Sequence, residues 1–286
     1  IHFQCLLILI FLKLFLTANA QLEIKLVVKG LGDKYFLSQY FSREPSQVII
    51  NGEQKGDSCK RTCYFLYELN NVTIRFDSLL NSCETMFNDL TEIIEVDLSN
   101  LDTSNVNNMA TMFNGCENLE KIIFGNINTG LVENMDSLFQ NCKKLTSIDL
   151  SHFDTSNVKN MNSMFRVCES LLSIDVSNFN TKNVENMYDM FGYCSKLTSI
   201  NVSNFVTTKV INMQGMFYQC ISLKYLDLSN FNTQSVTNMP SMFAYCNSLI
   251  YLNLFSFIIN TDVDISQILF ATSPDLKICI SDQETK

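Results

Sequence analysis

Residues 145–170 read LTSIDLSHFDTSNVKNMNSMFRVCES, and this stretch returns along the chain at a fixed interval. Met109, Met135, Met161, Met187, Met213 and Met239 are spaced by one constant step of 26 residues. Phe87 to Phe243 and Cys116 to Cys246 form two more columns with that step. Self-similarity at a period between about 20 and 50 residues marks a solenoid, in which each unit buries its apolar face against the next. Degenerate units around Ile93-Val96-Leu98 and Ile278-Ile280 extend the array to about eight strands.

Within the unit, Leu145, Ile148 and Leu150 have the spacing of a short strand. Val158, Met161, Met164, Phe165 and Cys168 follow at intervals of three and four, which predicts a short helix with one apolar face. Thr155 and its equivalents Thr103, Thr129, Thr181, Thr207 and Thr233 stand where an N-cap belongs. The expected fold class is therefore an α/β repeat solenoid. One parallel sheet would form one face, and short helices would lie on the opposite face.

The LxxIxLxxF stretch resembles a leucine-rich repeat. The full unit, with its NxTxxVxNMxxMFxxC half, is similar to the 26-residue bacterial surface protein repeat of the BspA-like leucine-rich-repeat surface protein family. The resemblance covers roughly residues 83–286. It implies an extracellular or cell-surface protein used in adhesion or recognition, and it implies no catalytic residues.

Upstream, residues 1–20 carry an apolar run, Leu6 to Leu16, and end on Ala18-Asn19-Ala20, the pattern of a signal peptide cleaved before Gln21. The run is too short for a transmembrane span, so an exported chain without one is expected. Residues 21–82 do not repeat. Short stretches such as Leu22–Val28 and Val72–Phe76, split by glycines, predict a small β-rich cap over the first coil, leaving residues 83–286 as the solenoid.

Composition narrows the function. The 286 residues hold 29 acidic against 20 basic side chains, a net charge of −9, which argues against nucleic acid as a partner. Only two histidines occur, one of them in the signal segment, so most triad and zinc chemistry is disfavoured. No phosphate-binding glycine loop, HExxH or GxSxG motif occurs, and neither an enzyme nor a cofactor is expected. Any acidic groove offers carboxylate pairs at glycosidase spacing, about 5–9.5 Å, and no pair stands out in this sequence.

The remaining columns have bland explanations beside sharper ones. The Asn108-to-Asn238 column fits amides that satisfy loop backbone groups. The Met and Phe columns fit core packing. Single cysteines one coil apart are a poor metal site and fit buried free thiols, whereas Cys59 and Cys63 in the cap are a disulfide candidate. Cys279 is the thiol expected to face outward. Asn71 and Asn201 begin glycosylation sequons.

The outward strand positions form two columns. One runs Asp97, Ile123, Asp149, Asp175, Asn201, Asp227, Asn253, Cys279 and makes either a solvated acidic face or a calcium ladder. The other column runs Glu95, Lys121, Ser147, Ser173, Ser199, Tyr225, Tyr251, Lys277. Its change from serine to tyrosine marks a partner-binding patch of Tyr225 and Tyr251, with Lys224, Asp227 and Phe255 nearby, or ordinary cross-strand packing. The expected function is recognition of a protein or glycan through the sheet face. The alternative is a self-associating coat or matrix protein.

Overall fold

The computed structural model describes residues 22–281, so the signal segment and its cleavage site lie outside the described residues. The N-terminal region contributes β1 (Leu22–Lys29), β2 (Gly32–Tyr35), β3 (Gln47–Ile50), β4 (Glu53–Gln54), β5 (Thr62–Phe65) and β6 (Leu69–Arg75). The array contributes β7 (Ile93–Leu101), β8 (Lys121–Ile123), β9 (Tyr225–Asp227), β10 (Tyr251–Asn253) and β11 (Lys277–Cys279).

Strand β1 is apolar at alternate positions, and Leu22, Ile24, Leu26 and Val28 are buried. A strand buried on one side has its register fixed by that alternation. It pairs antiparallel with β6, placing Lys25 opposite Thr73, and antiparallel with β7, placing Lys25 opposite Asp97. Strand β7 then pairs parallel with β8, which gives a sheet of order β4-β3-β6-β1-β7-β8. The N-terminal region is thus joined to the first coil through a backbone ladder with register shifts between Glu23 and Lys25 and between Val27 and Val28.

Successive coils stack in register. Isolated parallel bridges join Asn108 to Asn134, Asn134 to Asn160, and so on to Asn238 and Asp264. The phenylalanine column is a pile of parallel rings, with centroids 5.5 Å apart for Phe139–Phe165 and 5.7 Å for Phe165–Phe191. The methionine, valine and cysteine columns are buried around it in one core that runs on into the N-terminal sheet.

Two features of the expected fold class are wrong. First, no helix is present among the described residues, so the array is not an α/β solenoid with helices on its opposite face. The apolar spacing of three and four is real, but it belongs to a chain of tight turns. Met164, Arg166 and Cys168 donate N–H bonds to Met161, Ser163 and Phe165, three residues back. The alternate amides of Met161, Ser163, Phe165 and Val167 donate instead to Asn186, Tyr188, Met190 and Gly192 in the next coil. Amides used between coils cannot close i−4 bonds within a helix. Ser163 and Val167 also have left-handed φ values of 52° and 63°, as do their equivalents in each coil, and a right-handed helix cannot pass through them.

Second, the strands do not form one parallel sheet. Within the array, β7 and β8 belong to the mixed six-stranded sheet, and β9, β10 and β11 form a separate parallel sheet. No strand forms at residues 145–150 or 171–176 between them. The outward column supplies the reason. Strands occur where its residues are long, as at Glu95 and Lys121, whose charged groups are 3.9 Å apart, and at Tyr225 and Tyr251, which lie in register. They are missing at Ser147 and Ser173, whose side chains are too short to meet across coils. Cross-strand side-chain pairs contribute roughly 0.2–1 kcal/mol each, enough to decide a three-residue strand.

The threonines do not cap helices. Thr155 is buried, its Oγ1 donates to the carbonyl of Asn180 at 3.2 Å, and it accepts the Asn180 N–H at 2.8 Å. Thr181 treats Val206 in the same way, and Thr207 treats Asn232. Each hydroxyl is a two-way clamp between coils, which satisfies a peptide that the stack would otherwise bury unpaired.

Candidate partner-binding surface

The outward face of β9 and β10 carries the tyrosine pair. Tyr225 lies beside Tyr251 in register, and the two are 58% and 38% exposed. They line an open cleft of about 480 Å³, together with Ser199, Asn201, Ser203 and Asp227. Alternation along each strand sends Leu226 and Leu252 into the core and the tyrosines out. Asp227 joins the cleft as expected. Lys224 and Phe255 are exposed but stand outside its lining. The sequon residue Asn201 is on the cleft wall, so a glycan at Asn201 would occupy the space beside the tyrosines. Asn71, the other sequon residue, is exposed on β6.

The acidic column is accounted for by turns. Asp149 Oδ1 accepts the Ser151 N–H at 3.0 Å, and Asp175 Oδ1 accepts that of Ser177 at 2.9 Å. Asn201 and Asp227 do the same with Ser203 and Ser229. The Ser151 N–H and hydroxyl hold the Asp149 carboxyl below the usual carboxylate range, and the Ser177 hydroxyl and N–H do the same to Asp175. No group of three or more potential metal ligands is present among the described residues. The Asn column works likewise: Asn134 and Asn160 accept the N–H groups of Asp136 and Asn162, both at 3.0 Å.

Cys59 and Cys63 are joined as a disulfide, with their Cα atoms 5.0 Å apart. The six cysteines of the ladder are free and buried. Each thiol donates to the phenylalanine carbonyl of the coil before, as Cys168 does to Phe139 at 3.2 Å and Cys194 to Phe165 at 3.2 Å. Burial pushes the Cys168 and Cys246 thiols up to about 12, which leaves them neutral and unreactive. Cys279 is partly exposed on β11.

A second groove was not legible in the sequence. Lys25, Val27 and Thr73 of the N-terminal strands meet Glu95, Asp97 and Lys121 around an opening of about 250 Å³. Only the antiparallel docking of β1 on β7 brings these residues together, and no local pattern specifies that pairing.

A family model described as "Mycoplasma protein of unknown function, DUF285" matches residues 81–199 and 166–277. The chain belongs to this family. The match begins where the first coil begins and leaves out the N-terminal strands, so the DUF285 unit is the stacked array. No curated protein and no solved structure matches the chain. Membership in DUF285 thus carries no activity with it. No helix among the described residues is long and apolar enough to cross a membrane.

Proposed function

We propose that the chain is an exported or cell-surface recognition protein. It binds a protein or glycan through the outward face of its array, at the cleft between Tyr225 and Tyr251. The observation that carries this reading is the pair of adjacent, exposed tyrosines lining an open cleft with amide, hydroxyl and carboxylate groups around them. Tyrosine rings supply large contact area at low entropic cost, and the polar rim supplies directional bonds. The similarity of the repeat to BspA-like surface proteins and the apolar segment before Gln21 support export. The Cys59–Cys63 bond fits an oxidising compartment.

Tyr225 and Tyr251 lie in register on β9 and β10, so the test must keep that strand pairing. Binders are recovered with the full chain from surface extracts of the source cells and the cells it meets. The variant Tyr225→Val, Tyr251→Val places strand-favouring β-branched residues at both positions and removes the rings. The expected result is an unchanged thermal midpoint with a loss of affinity of ~30-fold or more, the size expected for a true anchor. Unchanged affinity in the folded variant would place the binding site elsewhere, the Lys25–Lys121 groove being next in line.

A further inference from the structure

In the N-terminal region, β2 and β5 form a two-stranded ribbon of their own, separate from both larger sheets. Its register pairs Asp33 with Tyr64 and Tyr35 with Thr62. Side chains alternate along a strand, and Phe65 turns inward to stack on the buried Phe36, with ring centroids 6.5 Å apart. The neighbours of Phe65 are left outside: Tyr64 is 65% exposed and Leu66 is 70% exposed. Leu31, Tyr35 and Tyr67 are exposed beside them. A lone exposed apolar residue is ordinary, but a cluster of this kind marks an interaction surface.

The backbone of β5 is open on the side away from β2. The Phe36 amide donates to the Arg61 carbonyl at 2.9 Å. Bonded pairs recur at every second position of an antiparallel ladder, so Lys34 with Cys63 and Gly32 with Phe65 are the bonded pairs of the ribbon. The N–H and C=O groups of Thr62, Tyr64 and Leu66 therefore point outward, and none has a backbone partner among the described residues. The Cys59–Cys63 bond anchors the start of this edge. The edge of β2 is different. Asp33 and Lys34 put charge in the middle of a short strand, the form in which natural edges resist pairing. No charged residue and no proline stands between Arg61 and Glu68.

We propose that β5 is the pairing edge for a second copy of this chain, in a symmetric dimer whose two-fold axis passes beside Tyr64. Residues 60–68 read KRTCYFLYE, basic at the start, apolar in the middle and acidic at the end. Run antiparallel against itself about Tyr64, this stretch sets Tyr64 against its own copy and Thr62 against Leu66. Lys60 comes opposite Glu68, and two-fold symmetry makes that pair occur twice. Both side chains are at the surface, Lys60 reaching the exposed Asp57 at 3.3 Å and Glu68 standing exposed. Charge complementarity therefore selects a second copy, since one stretch supplies both the basic and the acidic end. Each opposed pair would exchange two backbone hydrogen bonds, and the two ribbons would become one continuous antiparallel sheet. The edge is short, smaller than the ~800 Å² per partner of a standard interface, so a dissociation constant on the order of 10 μM is expected. This surface is separate from the tyrosine cleft and does not rest on the recognition reading.

Sedimentation of the full chain between ~1 and ~200 μM, with hydrogen exchange read over residues 62–66, tests the pairing by mass action. The chain should pass from monomer to dimer across that range, and the amides of Thr62, Tyr64 and Leu66 should gain protection as it does. Tyr64→Pro removes an N–H that faces solvent in the monomer, a position where edge strands tolerate proline, and should abolish the dimer with an unchanged circular dichroism spectrum. Glu68→Lys sets like charges opposite each other at both ends and should raise the dissociation constant about tenfold. Lys60→Glu combined with Glu68→Lys restores the opposite charges and should recover dimerisation. If Tyr64→Pro unfolds the chain, the charge variants decide alone, since they leave the strand itself unchanged. The proposal is overturned by a chain that stays monomeric throughout the range, or by a dimer that Glu68→Lys leaves as tight as before. Failure of the double variant to recover the dimer overturns it too, as does assembly that continues past two copies.

Discussion

At the level of single residues, hydroxyls and thiols on this chain act as couplings between coils. Thr155 is the clearest case, since it both donates to and accepts from Asn180 while fully buried. Replacing it by valine keeps the shape and leaves a buried N–H and C=O unpaired, which costs about 1–3 kcal/mol per group. Thr155→Val should lower stability by ~2 kcal/mol or more in denaturant unfolding, whereas Thr155→Ser should recover most of that loss. The cysteine ladder makes a second prediction. Cys116, Cys142, Cys168, Cys194, Cys220 and Cys246 should resist alkylation in the native chain and react once it is denatured without reductant. Their failure to react after denaturation would mean that the thiols are bonded to one another. Gly215 shows the steric side of the same stacking: at φ 61° it lies against the Asp189 carboxylate, and any Cβ there would overlap Oδ1.

At the level of the element, strand formation in the array follows the outward column rather than the inward one. Leu145, Leu171 and Leu197 are all buried, yet no strand forms after Leu145 or Leu171. At Ser199 only a single bridge to Tyr225 forms. Ser199→Tyr should therefore extend the β9–β10–β11 sheet by one strand. Amides around 199–201 should gain exchange protection, and stability should rise by up to ~1 kcal/mol, the range of an aromatic cross-strand pair. No gain would show that side-chain pairing on this face does not control the ladder. The turn half obeys a different rule. There the sequence period of three and four is satisfied by consecutive tight turns, because alternate amides are committed to the next coil.

At the level of the whole molecule, stability is a sum over junctions between neighbouring coils, and it responds to pH through the turns that those junctions rest on. Asp149, Asp154 and Asp264 accept the N–H and the hydroxyl of the serine two residues on, and Asp175 accepts the Ser177 hydroxyl and N–H, which lowers their carboxyl pKa. A lowered folded-state pKa gives stability that is present above the unfolded value, about 3.9, and is lost as pH falls through the folded value. Asp189 runs the other way. Its burial raises the carboxyl despite Arg166 at 2.9 Å, so its contribution falls as pH rises through its shifted value. Glu53 and Asp77, lowered by hydrogen bonds from Lys55 and Arg43, add to these four, and six lowered carboxyls against one raised predict net loss of stability below about pH 4. Asp149→Asn with Asp175→Asn should flatten that dependence without unfolding the chain, because Asn201 already fills the same column and makes the same bond at 3.0 Å. Thermal unfolding measured from pH 2 to 7 checks both statements.

The sequence by itself determined the period, the buried columns and the stacking of like on like. Each of these follows from repetition: a residue that meets its own copy 26 positions away has its neighbours written in the chain. It also marked Tyr225 and Tyr251 as the break in an otherwise bland column. Only the tertiary structure decided where the backbone hydrogen bonds go. The spacing of Met161, Met164, Phe165 and Cys168 fits a helical face and a chain of turns equally well, because side-chain periodicity does not state whether an amide finds its carbonyl within its own coil or in the next. The stack settles that choice, since amides pointing along its axis meet carbonyls 25 residues on. The seam between β1 and β7 was illegible for a related reason: it joins a unique segment to a repeat, and no internal copy records the pairing.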